Sequence, residues 1–409
     1  MKRKVFIMAL GLLLAFASGA EILRLLQSNG SGQAPTQRIL KVPGTYSTIQ
    51  KAVEAARDGD WVIIAPGKYS ESKIEIDKAI TVASEWKTTG DTAKIKATQI
   101  DAREETLFTL TADGVEISGL SMINGDHTLD ILANVTIQYN YFSDNLDALS
   151  FEGPGGGYAG FNTIENDRDD GIDIDIGSDK NNMGTDVVVE KNLIRNSNDD
   201  GIEIRLFSHQ NQNIRYTIRE NIIVGSRNAG IQLISYDAYT GKEFNIHHNI
   251  ISGCKVGLGC MEGSNSAEDM SGAGKMDELV FFFNNTLVGN QLGATGGNRI
   301  IALNNLVQRN ALGGFKRFGK NSAAVNNWFY ENGGDHFVQF HPDVTISGHQ
   351  DATDPQLDKQ TFKPREGSPL VDAGLGRFVS REGVVFEVPS EYIIGAAPDI
   401  GAIETNKNP

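Results

Sequence analysis

The sequence predicts an all-β solenoid, a single-stranded parallel β-helix built of stacked coils, and three observations carry that expectation. One short pattern, an alternating apolar stretch closed by Asn, recurs at residues 135–140, 158–162, 187–192, 216–221, 244–249, 281–285, 300–305 and 323–327. The closing asparagines lie 22, 30, 29, 28, 36, 20 and 22 residues apart, a basic period of one coil with extra residues in some copies. Turn residues are in excess without the proline of a linker: 45 Gly and 32 Asn against 11 Pro in 409 residues.

The elements follow in order. Met1-Lys2-Arg3-Lys4, an apolar run over 5–17 and Ser18-Gly19-Ala20 form a basic, apolar and small-residue series, as in an export signal cleaved after Ala20. A secreted or periplasmic location is expected, with an uncleaved signal anchor as the alternative because Ile22-Leu23-Arg24-Leu25-Leu26 follows. The run is shorter than the roughly 20 residues of a spanning helix, so no stable transmembrane span is expected. Residues 21–40 read as a linker and 41–404 as the solenoid domain.

Ser47 and Gln50 are spaced as a capping box, and Ile49, Ala52, Val53 and Ala56 share one helical face. The expected helix ends at Asp58-Gly59-Asp60, before a strand over 61–65, and covers the open end of the first coil. Beyond it, period-2 alternation in each copy turns successive side chains in and out. Asn suits a coil corner because it tolerates turn angles and its amide can bond the Asn one coil away. A propeller is disfavoured, since its blades of about 40 residues exceed the repeat.

Four consecutive spacings are long, and the extra residues follow the same strand each time, at 177–186, 206–215, 235–243 and 261–278. Insertions at one place in successive coils emerge side by side and wall a groove on a rigid scaffold. The strands beside that wall align without gaps at 145–152, 168–175, 198–205 and 227–234. With Ile172, Ile174, Ile202 and Ile204 inward, the outward columns are Ser150, Asp173, Glu203, Gln232 and Glu152, Asp175, Arg205, Ile234. Asp147, Asp170 and Asp200 form a third column at the preceding turn, with Asp169 over Asp199.

Carboxylates one coil apart, about 5 Å, raise each other's pKa unless a cation lies between them. Asp169, Asp170, Asp173, Asp199, Asp200 and Glu203 are therefore the candidate ligands of a Ca²⁺ ion. Asp173, Asp175, Glu203 and Arg205 are the candidate catalytic groups, and His209, Tyr236, Tyr239 and Lys242 in the insertions the candidate substrate contacts. The same residues also read as turn caps, an Asp175–Arg205 ion pair on a solvated face, and ordinary loop positions. The net charge of −15 repels nucleic acid, so no nucleic-acid partner is expected. Cys254 and Cys260 have no metal-ligand spacing and read as buried small residues or one local bridge.

The segments Tyr46-Ser-Thr-Ile-Gln-Lys-Ala-Val to Ala65-Pro-Gly-Lys-Tyr69, Gly367-Ser-Pro-Leu-Val-Asp-Ala-Gly374 and Asp399-Ile-Gly-Ala-Ile-Glu404 are similar to the two ends of many bacterial proteins of one superfamily. With the repeats between them, the chain resembles the right-handed parallel β-helix superfamily of pectate lyases, polygalacturonases, alginate lyases, epimerases and NosD-like periplasmic proteins. That resemblance implies the handedness and a polysaccharide partner; it does not choose the chemistry. The Asn-Thr-Asp, Gly-His-Gly and Arg-Ile-Lys motifs of polygalacturonases and the Asp-Pro-His of mannuronan epimerases are absent. Asp169-Asp-Gly-Ile-Asp173 looks like a stretch of one calcium-dependent pectate lyase family, whose catalytic Lys has Arg205 as its nearest basic counterpart here. The expected function is a polysaccharide lyase cleaving an acidic, uronate-containing polymer by calcium-assisted β-elimination. A retaining or inverting glycoside hydrolase and a non-catalytic glycan-binding protein are the alternatives.

Overall fold

The computed structural model describes residues 37–176, 185–206, 214–236, 241–262, 276–351 and 353–405. The export segment expected at 1–20 lies outside them. The described residues from Arg38 onward form one compact unit.

Among the described residues the chain winds through three parallel sheets of thirteen, twelve and eleven strands, giving each sheet one strand per coil. One coil runs Asn134–Gln138 in the first sheet, Tyr141–Ser143 in the second and Asp147–Phe151 in the third. Inward residues stack in register: Ile137 pairs with Ala159, and then Val189, Ile218, Ile246, Phe282 and Ala302 follow coil by coil. All are essentially buried. Each large member of such a column contributes about 1.5–3 kcal/mol from burial, which is why the alternation in sequence locks the register.

The asparagine corner forms as expected. Asn140, Asn162, Asn192, Asn221, Asn249, Asn285, Asn305 and Asn327 make a continuous ladder. From Asn162 onward each side-chain oxygen accepts the backbone N–H and the side-chain amide of the Asn one coil earlier, at 2.9–3.2 Å. One detail differs. The tight backbone angle falls on the residue before each Asn, Tyr139, Phe161, Lys191, Glu220, His248, Asn284, Asn304 and Asn326, all with φ between 51° and 58°. The ladder uses both the backbone N–H and the side chain of Asn, so the neighbour takes the left-handed turn. At Tyr139 and Phe161 ring stacking at 4.8 Å offsets its cost.

The capping helix spans Ile49–Ala55 with Ile49, Ala52 and Val53 buried. Thr48, not Ser47, is its N-cap and accepts from the Lys51 N–H. The capping box is replaced from outside: Glu71 accepts the N–H groups of Ile49 and Gln50. The following strand is Trp61–Ile64. At the other end Phe386 packs on Phe281 and Phe283, and Leu370 and Ile400 on Leu306 and Trp328, so the closing segment covers outer sheet faces. Cys254 and Cys260 are buried and free, the first of the two expected readings.

Candidate active site

Four successive third-sheet strands, Asp147–Phe151, Ile172–Ile174, Ile202–Leu206 and Ala229–Ser235, build the site. Their register is the expected one: Ser150, Asp173, Glu203 and Gln232 are in line, and Arg205 pairs with Ile234. The chain passes from this sheet to the first at 174–187, 206–215, 235–243 and 262–279, so the extra residues all belong to one kind of connection. His209 and Tyr239 lie outside the described residues. Of the other two expected substrate contacts, Tyr236 is exposed and Lys242 is buried.

The outward columns are not a solvated face. Asp173 is 3% and Glu203 5% exposed, because each strand is flanked above and below and Arg205 folds across the gap. The Arg205 guanidinium lies 3.3 Å from Asp173 and 2.9 Å from Asp175, and also pairs with Glu203. One cation thus serves three carboxylates. Burial and then the neighbouring carboxylates push Asp173 well above the usual range, and burial raises Asp175 despite Arg205. Burial pushes Glu203 to about 7, against the pull of Arg205. Glu152, beside Asp175, is also pushed to about 7, first by burial and then by the Asp175 charge. Arg205 sits above its ordinary pKa, held charged by Asp173, Glu203 and Asp175 against desolvation.

A stability consequence follows. A carboxyl raised in the fold holds its proton there while the unfolded chain has lost it, so stability falls as pH rises between the two pKa values. For Glu203 that window runs from 4.5 to about 7. With metal removed, the protein is expected to be more stable at pH 5 than at pH 8, by on the order of 2 kcal/mol from Glu203 and less from half-exposed Glu152. Urea midpoints in EDTA at the two pH values check this. A midpoint higher at pH 8 would contradict it.

The turn column is a second ladder. Asp147 accepts the N–H of Asp170 at 2.9 Å, Asp170 that of Asp200 at 2.8 Å, and Asp200 that of Ala229 at 2.5 Å. One oxygen of each is committed to the backbone, as the turn-cap reading expects. The second oxygen of Asp200 is buried without a hydrogen-bond partner, as are Oδ1 of Asp173 and of Asp175. Burial first, then neighbouring carboxylates, raise Asp170 and Asp200 well above the usual range. Asp169 and Asp199 border a polar cavity of about 600 Å³ with Asn198, Arg227, Asn228 and Lys255. Oxygens of Asp170, Asp173 and Glu203 lie within 4.8 Å of one another, as do those of Asp169, Asp170 and Asp199 and those of Glu152, Asp173 and Asp175.

Residues 86–243 match the family described as right handed beta helix region. The chain is a right-handed parallel β-helix. Among solved structures it resembles the catalytic unit of a thermostable α-1,3-glucanase from Streptomyces thermodiastaticus, at 12% identity, covering 80% of this chain and 72% of that one with a TM-score of 0.51. Pectate lyase Pel9A is similar at 16% identity over 91% and 98% of the two chains, TM-score 0.42. The mannuronan C-5 epimerase AlgE6 A-module of Azotobacter vinelandii is similar at 13% identity over 75% and 94%, TM-score 0.41. No curated protein matches the sequence. The likeness to the glucanase catalytic unit goes with the fold alone, and the chemistry has to be read from the site.

In this β-helix the six expected metal ligands and four expected catalytic groups, eight residues in all, lie within one patch on two adjacent coils. Sequence reasoning missed two members of the patch. Glu152 was placed in a column but given no role. His127, in the strand His127–Ile131 one coil earlier, pairs in register with Asp147. The aligned strands began at 145, and the Asp126-His127-Thr128 stretch lacks the Asp-Gly that marks the later coils; register beside Asp147 was the available signal. A larger, mostly apolar cavity of about 840 Å³ lies on the second sheet under the closing segment, lined by Leu193, Ile222, Val224, Phe362 and Tyr392. The carboxylate cluster is absent from its walls, so it is not the site of this chemistry.

Proposed function

We propose that the protein is an exported carbohydrate-active enzyme that cleaves a uronate-containing polysaccharide by calcium-assisted β-elimination at this patch. The observation that carries the reading is the excess of crowded carboxylates, some with buried oxygens lacking any partner, around a single guanidinium. Calcium–oxygen distances of about 2.3–2.6 Å put two ligands of one ion at most about 5 Å apart. The groups Asp170–Asp173–Glu203 and Asp169–Asp170–Asp199 meet that limit and share Asp170. These hard carboxylate oxygens suit Ca²⁺, and Asp200, whose N–H donates to Asp170 and whose second oxygen is buried without a partner, is a further donor beside them. The bound ion would neutralise the uronate carboxylate and acidify the adjacent C–H.

The chain's own residues do the rest. Arg205, kept charged by its three partners, is a poor proton acceptor and a good stabiliser of the negative charge that develops on the sugar. Asp175 holds that guanidinium in place at 2.9 Å. Export rests on the sequence of residues 1–20, and a mature N-terminus at Glu21 in the extracellular or periplasmic fraction checks it. Among the described residues no helix is long and apolar enough to cross a membrane.

A second reading has its own observation. Glu152 and Glu203, each at about 7, are suited to act as a general acid. Their neighbours within 4.8 Å approach the roughly 5 Å carboxyl separation of retaining glycosidases. Incubation with pectin, alginate and neutral glycans, with and without EDTA, separates the readings. An EDTA-sensitive rise at 235 nm supports elimination. Reducing ends without that absorbance support hydrolysis, and neither product on any polymer supports glycan binding alone.

A further inference from the structure

Resting on the β-elimination reading, we infer that His127 is the group that moves the proton, taking it from the uronate through Nε2. His127 lies at the head of the turn column, directly in register with Asp147. Its Nδ1 lies 2.8 Å from Ser150 Oγ and 3.7 Å from Asp147 Oδ2. Those two partners are buried, whereas the imidazole is 39% exposed, so Nδ1 is anchored inward and the rest of the ring edge is available to a substrate. Donation of an Nδ1–H to Ser150 Oγ, with the Asp147 carboxylate beside it, would fix the tautomer and leave the lone pair on Nε2.

The Asp147 carboxylate lies 3.7 Å from Nδ1, beside the ring that carries the proton during the step. Of the other basic groups near the patch, Arg205 is held charged, Lys242 is buried, and Arg227 and Lys255 line the cavity beside Asp169 and Asp199, coils away from Asp147 and Ser150. His247 and His248 are buried and belong to the first-sheet side of the coil.

The step balances on one residue. Nε2 takes the C5 proton of the uronate, the C–H electron pair becomes the C4–C5 double bond, and the C4–O4 bond breaks. The imidazolium then gives that same proton to the departing O4, returning His127 to its starting state. Asp147 and Ser150 act as positioning residues that hold Nδ1.

The test uses the full-length protein with Ca²⁺ on the polymer that gives the wild type its 235 nm signal. His127→Gln is expected to lower kcat by about a thousandfold, the middle of the usual range for general acid–base catalysis. Its melting temperature, Ca²⁺ heat and oligosaccharide affinity are expected to stay at wild-type values, and free imidazole is expected to restore turnover to His127→Ala. An active wild type whose His127→Gln variant keeps its kcat overturns the assignment and leaves the elimination reading standing. A wild type that produces no 235 nm signal on any uronate polymer overturns both.

Discussion

Arg205→Met is expected to lower the stability of the metal-free protein by about 3 kcal/mol at pH 8, the low end of the cost of breaking a buried ion pair. The guanidinium is the shared partner of Asp173, Asp175 and Glu203, whose side chains are 4%, 14% and 7% exposed. Without it three carboxylates face one another with neither water nor a cation to screen them. The low end applies because Arg205 itself is 30% exposed. At pH 5 the loss should shrink, since burial raises Asp173 and pushes Glu203 to about 7, and a carboxyl that holds its proton in the fold needs no counter-charge. Ca²⁺ at pH 8 should recover part of it. Urea midpoints under the three conditions measure the effect. An equal loss at pH 5 and pH 8 would mean that the side chain packs rather than neutralises.

Asn221→Ala is expected to cost about 4 kcal/mol or more, since several buried polar groups would each lose a partner at about 1–3 kcal/mol. Asn221 is fully buried. Its oxygen accepts the N–H and amide of Asn192, and its own amide donates to Val189 O and the Asn249 oxygen. Alanine deletes all four bonds in the middle of the ladder, where water has no access. Asn134→Ala, at an exposed position, should change stability by under about 0.5 kcal/mol. Thermal melts of the two variants side by side check this, and similar small shifts for both would show that the ladder follows the coil rather than stabilising it.

The coil was legible because its chemistry is repetitive. A buried Asn whose amide must bond its neighbours leaves the same mark in every turn, and eight anchors read from sequence are the eight rungs observed. The capping helix was legible as an apolar face, yet its cap moved by one residue because Glu71, from a later part of the chain, supplied what a local capping box would have. The register of the acidic columns followed from alternation alone. Their burial did not, since exposure depends on whether a side chain such as Arg205 lies across the gap, and Asp173 alone cannot show that. His127 was hidden for the same reason: its partners Asp147 and Ser150 are 20 and 23 residues away, joined to it only by the stacking of coils. The turn column combined both lessons, as Asp147, Asp170 and Asp200 each bond backbone like the asparagines and still crowd their charges.

Calorimetric titration of Ca²⁺ into the metal-free full-length protein at pH 8, alongside Asp173→Asn, tests the central claim most directly. The account expects saturable binding to the wild type, weaker when the titration is repeated at pH 6, because Glu203, pushed by burial to about 7, must be ionised to become a ligand. Asp173→Asn should bind at least about tenfold more weakly, or about 1.4 kcal/mol. Absence of saturable heat in the wild type, or unchanged affinity in the variant, would contradict a calcium site built from these carboxylates.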